Sequence, residues 1–270
     1  MPLKFALAGN PNSGKTTLFN ALTGSTAHVG NWPGVTVERK EGRYRKSEKE
    51  ILVIDLPGIY SLSPYTPEER IARNYIISER PDVIIDIVDA TNLERNLYLT
   101  TQLLEMGRPV IVALNMMDIV KKRGDNIDVA SIAKVLGVPV VPIAASTGDG
   151  VSELMKLAEA AVSTACKPKS VLSATALAEP LEESRLLLPD PNAEDALYHA
   201  IKILEQDSEV VYSLDLKGKE AAIAAAIDKV KKLMPDTETE SVIADARYKY
   251  ITKYISSYIV LSDEAKKESF

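Results

Sequence analysis

Apolar residues in this chain follow two alternating patterns. Short continuous apolar runs, typical of strands buried on both faces of a sheet, are separated by segments whose apolar residues recur at helical spacing. The runs are residues 3–8, 83–89, 110–114 and 138–143, and the helical segments are residues 67–78, 93–105, 129–136 and 151–161. This alternation predicts an α/β fold with a mostly parallel sheet covered by helices on both faces.

The region between the first helix and residue 55 departs from this alternation. Residues 24–34 are polar and include Gly30, Pro33 and Gly34. Their apolar residues follow neither the helical nor the strand spacing, so we predict a long loop. Residues 36–42 and 50–55 are predicted to form an antiparallel hairpin. Because Asp55 ends the second strand, its carboxylate should emerge at the sheet edge where open α/β folds bind ligands.

The second part of the chain is rich in helix formers and has no convincing series of strands. Pro189, Pro191, Gly218 and Pro235 divide it into several predicted helices. We therefore predict two domains: an α/β domain over residues 1–167 and a small all-helical domain over residues 168–270.

Composition narrows the classes of function. Of the 270 residues, 26% are charged and 46% are hydrophobic, as in ordinary folded proteins, and the net charge of -6 disfavours nucleic acid as a partner. The single cysteine, Cys166, excludes a disulfide framework and fits a reducing compartment. There is no signal peptide and no apolar stretch of about 18 residues, so we expect a soluble, cytoplasmic chain. With few histidine and cysteine ligands, any bound metal should be a hard ion held by oxygen.

A glycine-containing loop follows the first predicted strand and opens into a helix, which is the order that a phosphate-binding loop requires. Its backbone N–H groups and the positive end of the helix would hold a polyphosphate. Lys15 would reach the outer phosphates, and the Thr16 hydroxyl would bind Mg²⁺. A structural glycine turn is the alternative, which the agreement of strand, loop and helix disfavours. The predicted nucleotide-binding residues in this segment are Gly9, Asn10, Pro11, Asn12, Ser13, Gly14, Lys15, Thr16 and Thr17.

Residues at two other places suit magnesium and a terminal phosphate. Asp55 would order Mg²⁺, and the flexible Gly58 can turn its backbone N–H toward a terminal phosphate. Thr36 lies between the first helix and the second strand, so its hydroxyl would reach Mg²⁺ when a terminal phosphate is bound. An ordinary threonine at the start of a strand is the alternative for Thr36.

Two later loops on the same edge of the sheet favour guanine. Asp118, shortly after the strand that ends at Leu114, can accept hydrogen bonds from the N1–H and the exocyclic amine of guanine, and adenine lacks that amine. A polar helix cap is the alternative. The loop that contains Ala144, Ala145 and Ser146 would close the base pocket, with its backbone N–H groups facing the guanine oxygen.

Together these elements resemble the translation-factor-related small GTPases, which have a Ras-like P-loop fold. The stretch from Val29 to Glu38, combined with Gly-Asn-Pro-Asn-Ser-Gly-Lys-Thr and Asp-Leu-Pro-Gly, resembles the ferrous iron transport protein FeoB. Asn115-Met116-Met117-Asp118 also suits that family. The resemblance covers residues 3–161, and the Ile-Ala-Asp-Ala-Arg-Tyr segment from Ile243 extends it less sharply to the family's helical domain.

The resemblance implies roles for individual residues. Asn12 matches an asparagine that coordinates K⁺ in related potassium-activated GTPases, assisted by backbone carbonyls near Gly30 and Trp32, and a turn-forming asparagine is the alternative. Such an ion would supply positive charge where an arginine finger otherwise acts. The residues implied to act in hydrolysis are Asn12, Lys15, Thr36 and Gly58, and those implied to contact nucleotide elsewhere are Gly34, Val35, Thr36, Asn115, Met116 and Asp118.

Three positions depart from the pattern of related GTPases, and a fourth, Trp32, needs separate weighing. Ile59 stands where Ras-like proteins have a water-positioning glutamine, so intrinsic hydrolysis should be slow. Met116 replaces a lysine that usually packs on the base and Ala144 replaces a commoner serine, so guanine affinity should be modest. Trp32, the sole tryptophan, lies in a polar loop, and we favour a switch role over a core position.

The motifs predict a GTP-hydrolysing switch with Mg²⁺ as a cofactor. The resemblance further implies K⁺ as a cofactor and a role in regulating ferrous iron uptake through a membrane permease portion absent from this chain. Small accessory iron-transport proteins and further copies of the chain are possible partners, and the full-length protein would lie at the cytoplasmic face of the membrane. The rival is a GTPase assembly factor that binds RNA or the ribosome, although its appended domain would usually be basic. A nucleotide-controlled scaffold with negligible turnover is a third reading.

Overall fold

The computed structural model describes residues 2–24, 27–63, 65–164, 167–260 and 262. Cys166 and residues 25–26 of the predicted long loop lie outside the described residues. Within these ranges, no helix has the length and apolar character needed to cross a membrane.

The first part of the chain forms a seven-stranded sheet with strand order β2-β3-β4-β1-β5-β6-β8. The strands from β4 to β8 in this order are parallel, and β2 and β3 are antiparallel to their neighbours. Their bounds are β1 Leu3–Gly9, β2 His28–Asn31, β3 Glu38–Tyr44, β4 Ile51–Asp55, β5 Val83–Asp89, β6 Val110–Asn115 and β8 Val140–Pro142.

Helices accompany this sheet, and two of them begin at sequence signals. In α2, Thr66 and Glu69 form a reciprocal capping box around Pro67, and in α5 the Asp128 side chain accepts from the Ser131 N–H. The bounds are α1 Lys15–Thr23, α2 Pro67–Glu79, α3 Leu93–Leu103, α4 Met117–Arg123, α5 Val129–Leu136 and α6 Val151–Ala161. The mostly parallel α/β prediction is therefore confirmed.

The second part is helical, as predicted, with one small strand. Its elements are α7 Ala178–Leu186, α8 Ala196–Leu204, α9 Ser208–Ser213, α10 Glu220–Leu233, α11 Thr239–Ile255 and β9 Ile259–Val260. β9 pairs antiparallel with β7, Asn126–Ile127, which lies between α4 and α5. Two residues near the end of the helical part therefore complete a strand pair with the first part.

Alternate residues of the central strands pack on opposite faces of the sheet. Phe5 and Leu7 of β1 pack in a core with α1 and α6, whereas Ala6 and Ala8 face a second core that includes α2 and α3. A third core lies within the helical part. The second core also contains Ile251 and Ile255 of α11, so the two parts share buried apolar surface. The domain boundary between residues 167 and 168 stays a prediction.

The predicted long loop is wrong in part, because β2 lies within it. Residues 28 to 31 pair with 41 to 38 of β3, and all four side chains of β2 are exposed. A strand that buries neither face has no hydrophobic alternation, so its backbone pairing left no signal in the sequence.

Candidate nucleotide-binding site

The phosphate loop connects β1 to α1 and is shaped by close backbone approaches. Gly14 has φ +90°, and a Cβ there would collide with the Asn115 side-chain amide. A Cβ on Gly9 would lie 2.5 Å from the Ile87 carbonyl oxygen. Asn12 has φ +66°, a left-handed conformation that asparagine tolerates better than most residues. Two glycines are therefore required by sterics, and Asn12 is at least a turn former.

Two side chains of this loop are buried without partners. Asn10 is 3% exposed and Ser13 is 1% exposed, and among the described residues no hydrogen bond reaches the Asn10 amide atoms or the Ser13 Oγ. Buried polar atoms of this kind are usually satisfied by water or a ligand. Pro11, Asn12, Thr16 and Thr17 are exposed on the loop and the first turn of α1. The loop therefore presents both buried and accessible polar groups, as an anion site at a helix start requires.

Lys15 and Asp55 form an ion pair, although their motifs are far apart in the sequence. Asp55 lies opposite Leu7 in the β1–β4 register, and the Lys15 Nζ donates to its Oδ1. The lysine side chain is 11% exposed and the aspartate side chain 7%. The structure thus brings the phosphate-binding loop, which contains Lys15, next to Asp55, the residue predicted to order magnesium. The carboxylate of Asp55 and the exposed hydroxyl of Thr16 are hard oxygen donors, and this donor set fits Mg²⁺.

The loop after β4 lies directly on the phosphate loop. The Ile59 N–H donates to the Gly9 carbonyl at 3.2 Å, and a Cβ on Gly58 would lie 3.2 Å from the Pro11 Cα. Ile59 is 2% exposed and packs in the core, so its side chain is turned away from solvent. Gly58 is therefore beside the phosphate loop, and the contact of its N–H with a terminal phosphate stays a prediction.

Asn115 bridges the phosphate loop and the last loop of the site. Its Nδ2 donates to the Ser13 carbonyl at 2.8 Å, and its Oδ1 accepts from the Ala145 N–H at 2.9 Å. The side chain is 4% exposed. The resemblance predicted that this residue contacts the nucleotide, and that stays a prediction. Its bracing role was missed, because contacts between distant loops leave no local pattern.

The predicted guanine loops lie at the ends of β6 and β8. Asp118 is half-buried in the first turn of α4, a short helix that we did not predict, although Lys121–Arg123 followed by Gly124 is a helix-end signal. Met116, just before this helix, has φ +67°. The strain of a non-glycine residue in this region is typical of functional sites.

One part of the guanine-loop prediction needs correction. The Ala144 N–H donates to the Asp149 carbonyl at 3.0 Å, and the Ala145 N–H donates to Asn115. These two N–H groups are therefore engaged by the protein and do not face an open pocket. Ser146 is exposed, and its N–H stays the candidate for the guanine oxygen.

The turn between β2 and β3 holds the remaining predicted residues. Gly30 lies in β2 opposite Arg39, and the Trp32 carbonyl accepts from the Val35 N–H at 3.3 Å. Thr36 lies in this turn with Gly34 and Val35, and within the described part of the chain no hydrogen bond connects them to the phosphate loop. Among the described residues, this group is therefore not hydrogen-bonded to the phosphate loop.

Trp32 is buried, contrary to our preference for a switch residue outside the core. It is 6% exposed, its ring meets Tyr75 of α2 edge-on at 5.5 Å, and the Arg39 guanidinium lies 5.0 Å from the ring centroid. The polar neighbours of Trp32 in the sequence gave no sign of this packing, because the partners come from α2 and β3.

Comparisons with known proteins agree with this geometry. A family model described as ferrous iron transport protein B matches residues 3–158, which is more than half of the chain. The chain belongs to the FeoB family. A second model, the FeoB cytosolic helical domain, matches residues 176–260. The resemblance inferred from the motifs is therefore confirmed over both parts of the chain.

Individual relatives and structures give the same family. The Fe(2+) transporter FeoB of Escherichia coli (strain K12) is 42% identical over 255 residues, covering 92% of this chain and 32% of the relative. A GDP-bound mutant of the S. thermophilus FeoB G-domain is 43% identical, with a TM-score of 0.88, covering 95% of this chain and 99% of that one. The cytosolic domain of T. maritima FeoB in a GMPPNP form is 34% identical, with a TM-score of 0.80, covering 96% and 99%.

These comparisons establish a P-loop GTPase fold in a family of ferrous iron transport, followed by a FeoB helical domain. The chain spans about a third of the length of the curated relatives it matches.

Proposed function

We propose that this chain binds and hydrolyses GTP and thereby regulates ferrous iron uptake by a membrane permease portion, at the cytoplasmic face of the membrane. The observation that carries the proposal is the Asn115 bridge. It fixes the end of β6, where we place guanine recognition, against the phosphate loop at Ser13. A base and a polyphosphate bound at these two loops would belong to one molecule.

Within the site, Lys15 would exchange its partner Asp55 for the outer phosphates. Thr16, Thr36 and Asp55 would hold Mg²⁺, which neutralises charge on the phosphate oxygens when bound. Thr36 lies in a turn that is closed by the Trp32–Val37 and Val35–Trp32 backbone hydrogen bonds, and for this role we expect the turn to rearrange. GTP would therefore order this turn and the loop after Asp55, and hydrolysis would release both.

Hydrolysis would rely on backbone groups and on K⁺. Ile59 is buried and cannot orient water, so we assign that role to the Gly58 N–H and to the turn around Thr36. Asn12 is exposed within the phosphate loop and would hold K⁺ with the carbonyls of Gly30 and Trp32. The strand pairing of Gly30 and the Trp32–Val35 hydrogen bond imply that this ion binds only after the turn rearranges.

The partners follow from the family and the charge. GTP and GDP are the small-molecule ligands, the permease portion is the expected covalent neighbour, and accessory iron-transport proteins or further copies of the chain are proposed partners. The rival, an RNA- or ribosome-associated GTPase, is not favoured, because the family model is that of an iron transport protein and the net charge is -6. Binding of RNA with an affinity that falls as the salt concentration rises would favour this rival again.

Guanine recognition is tested by Asp118→Ala. Loss of a carboxylate that accepts two hydrogen bonds should weaken GDP binding by about a hundredfold and leave ADP binding unchanged. Glu153→Ala is the matched control, since Glu153 is an exposed acid in the first turn of α6. The measurement is titration calorimetry with both nucleotides. An unchanged preference for GDP over ADP in Asp118→Ala would remove the guanine assignment.

A further inference from the structure

The loop that carries Gly58 is attached to α3 at two points. The Arg95 guanidinium lies 4.7 Å from the ring centroid of Tyr60, and the Leu62 N–H donates to the Gln102 Oε1 at 2.8 Å. Both contacts lie within four residues of Gly58. No sequence motif pointed to either α3 residue.

The two attachment points share one face of α3. Residues 95 and 102 are two helical turns apart, so their side chains lie about 10 Å apart along the helix on the same side. Leu62 is 1% exposed and Gln102 4%, whereas Tyr60 is 46% exposed. One contact is therefore a buried hydrogen bond to backbone and the other a surface cation–π contact.

α3 is itself held firmly, so it can serve as a support. The Thr100 hydroxyl donates to Asp86 of β5 at 2.6 Å. Just beyond the helix, Arg247 of α11 donates to both carboxylate oxygens of Glu105 at 2.7 and 2.8 Å. These contacts are buried and tie α3 to the sheet and to the helical part of the molecule.

On its other side, the same loop touches the phosphate loop through Ile59 and Gly58. The Ile59 N–H reaches the Gly9 carbonyl, and Gly58 lies against Pro11. Tyr60 and Leu62 are thus joined through Ile59 to the segment that contacts the phosphate loop.

We propose that Arg95 and Gln102 are positioning residues for GTP hydrolysis, which act by holding the loop at Tyr60 and Leu62 so that the Gly58 N–H is placed for the terminal phosphate. This inference rests on the proposed GTPase function. GDP lacks the γ-phosphate that the Gly58 N–H would contact, so the two residues should affect hydrolysis and leave GDP affinity unchanged. Without these contacts, the loop would hold the Gly58 N–H in position for a smaller fraction of the time, and the rate constant of GTP hydrolysis would fall.

The buried contact is tested by Gln102→Met and Gln102→Glu in single-turnover GTP hydrolysis. Methionine is of similar length but accepts no comparable hydrogen bond, and we expect the maximal rate to fall about fivefold. Glutamate keeps an oxygen for the Leu62 N–H and should restore most of the rate. GDP affinity and the KM for GTP should stay within twofold of wild type in both variants, about the scatter of such measurements. Equal rates in Gln102→Met and wild type, or equal losses in Gln102→Met and Gln102→Glu, would overturn the proposal.

The surface contact gives a second test that does not endanger folding. Arg95→Gln removes the cation, and the maximal rate should fall about twofold to fivefold, while Arg95→Lys keeps a cation and should lose less. A rate at or above wild type in Arg95→Gln would contradict the inference. Wild-type protein is measured first: absence of GTP turnover there refutes the proposed function, whereas wild-type turnover with unaffected variants refutes only the positioning roles.

Discussion

At the scale of single residues, Asp86 is a buried carboxylate close to the phosphate loop. It lies in β5 opposite Ala8 of β1, is 1% exposed, and accepts only the Thr100 hydroxyl among the described residues, with its Oδ1 unpartnered. Burial raises the pKa of Asp86 to about 7, although the hydrogen bond from Thr100 lowers it. The folded state therefore favours the protonated carboxyl.

This pKa has a consequence for stability. The pKa of Asp86 is about 4 in the unfolded chain and about 7 in the folded protein. Between these two pH values, the folded protein holds a proton that the unfolded chain has lost. The contribution of Asp86 to the free energy of unfolding is therefore fully present below pH 4 and is lost as the pH rises to about 7. Asp86→Asn removes the titration. Its free energy of unfolding relative to wild type should rise by up to about 1.4 kcal/mol per pH unit over this window and then level off. Urea unfolding at pH 5, 7 and 8.5 measures it, and a difference independent of pH would contradict the assignment.

Residue identities at the site were readable from sequence, but their pairings were not. The chemistry of Lys15, Asp55 and Asn115 follows from their motifs. The Lys15–Asp55 ion pair and the Asn115 bridge depend on which strands lie side by side, and this is a property of the folded sheet. Exposure also escaped prediction at Trp32, whose partners are distant in sequence.

At the scale of elements, strongly periodic segments were predicted closely. The predicted strand over residues 83–89 and helices over 129–136 and 151–161 have the observed bounds. The missed elements, β2, β7, β9 and α4, are short and owe their form to pairing or to tight connections rather than to an apolar face. Local periodicity carries no information about such elements.

The turn between β2 and β3 should report nucleotide state through Trp32, the only tryptophan. Its backbone N–H donates to the Val37 carbonyl at 2.9 Å, so movement of Thr36 toward Mg²⁺ must disturb the Trp32 environment. We expect GMPPNP with Mg²⁺ to shift tryptophan emission to longer wavelength, because a buried indole becomes more exposed, while GDP leaves the spectrum unchanged. Identical spectra with both nucleotides would argue against rearrangement of this turn.

At the scale of the whole molecule, the helical part is joined to the sheet part by buried contacts. Arg247 and Glu105 are 1% and 2% exposed, and Thr101 and Ser170 add hydrogen bonds to the pair. Ile251 and Ile255 of the same helix lie in the core beside α3. A conformational change in either part therefore has a packed route to the other.

The Arg247–Glu105 pair should matter for stability. Arg247→Met leaves Glu105 buried without its counter-charge, and we expect a loss of about 3–5 kcal/mol in the free energy of unfolding. Glu105→Gln in the same background should recover part of it. Lys249→Met, which breaks the exposed Lys249–Asp245 pair of the same helix, should cost at most about 1 kcal/mol. Chemical denaturation gives all three values. Similar losses for Arg247→Met and Lys249→Met would refute the claim that the buried pair contributes more to the free energy of unfolding than the exposed pair.

The most direct test of the account is GTP hydrolysis by the purified chain with Mg²⁺ in KCl and in NaCl of equal ionic strength, with ATP as the control substrate. We predict GTP-selective turnover that is at least about tenfold faster in KCl, since the ion stabilises charge on the reacting phosphates. Asn12→Ala should abolish the difference between the salts, and Asn20→Ala on the exposed face of α1 should keep it. Equal rates in the two salts would contradict potassium activation, and absence of GTP turnover in both would contradict the GTPase switch itself.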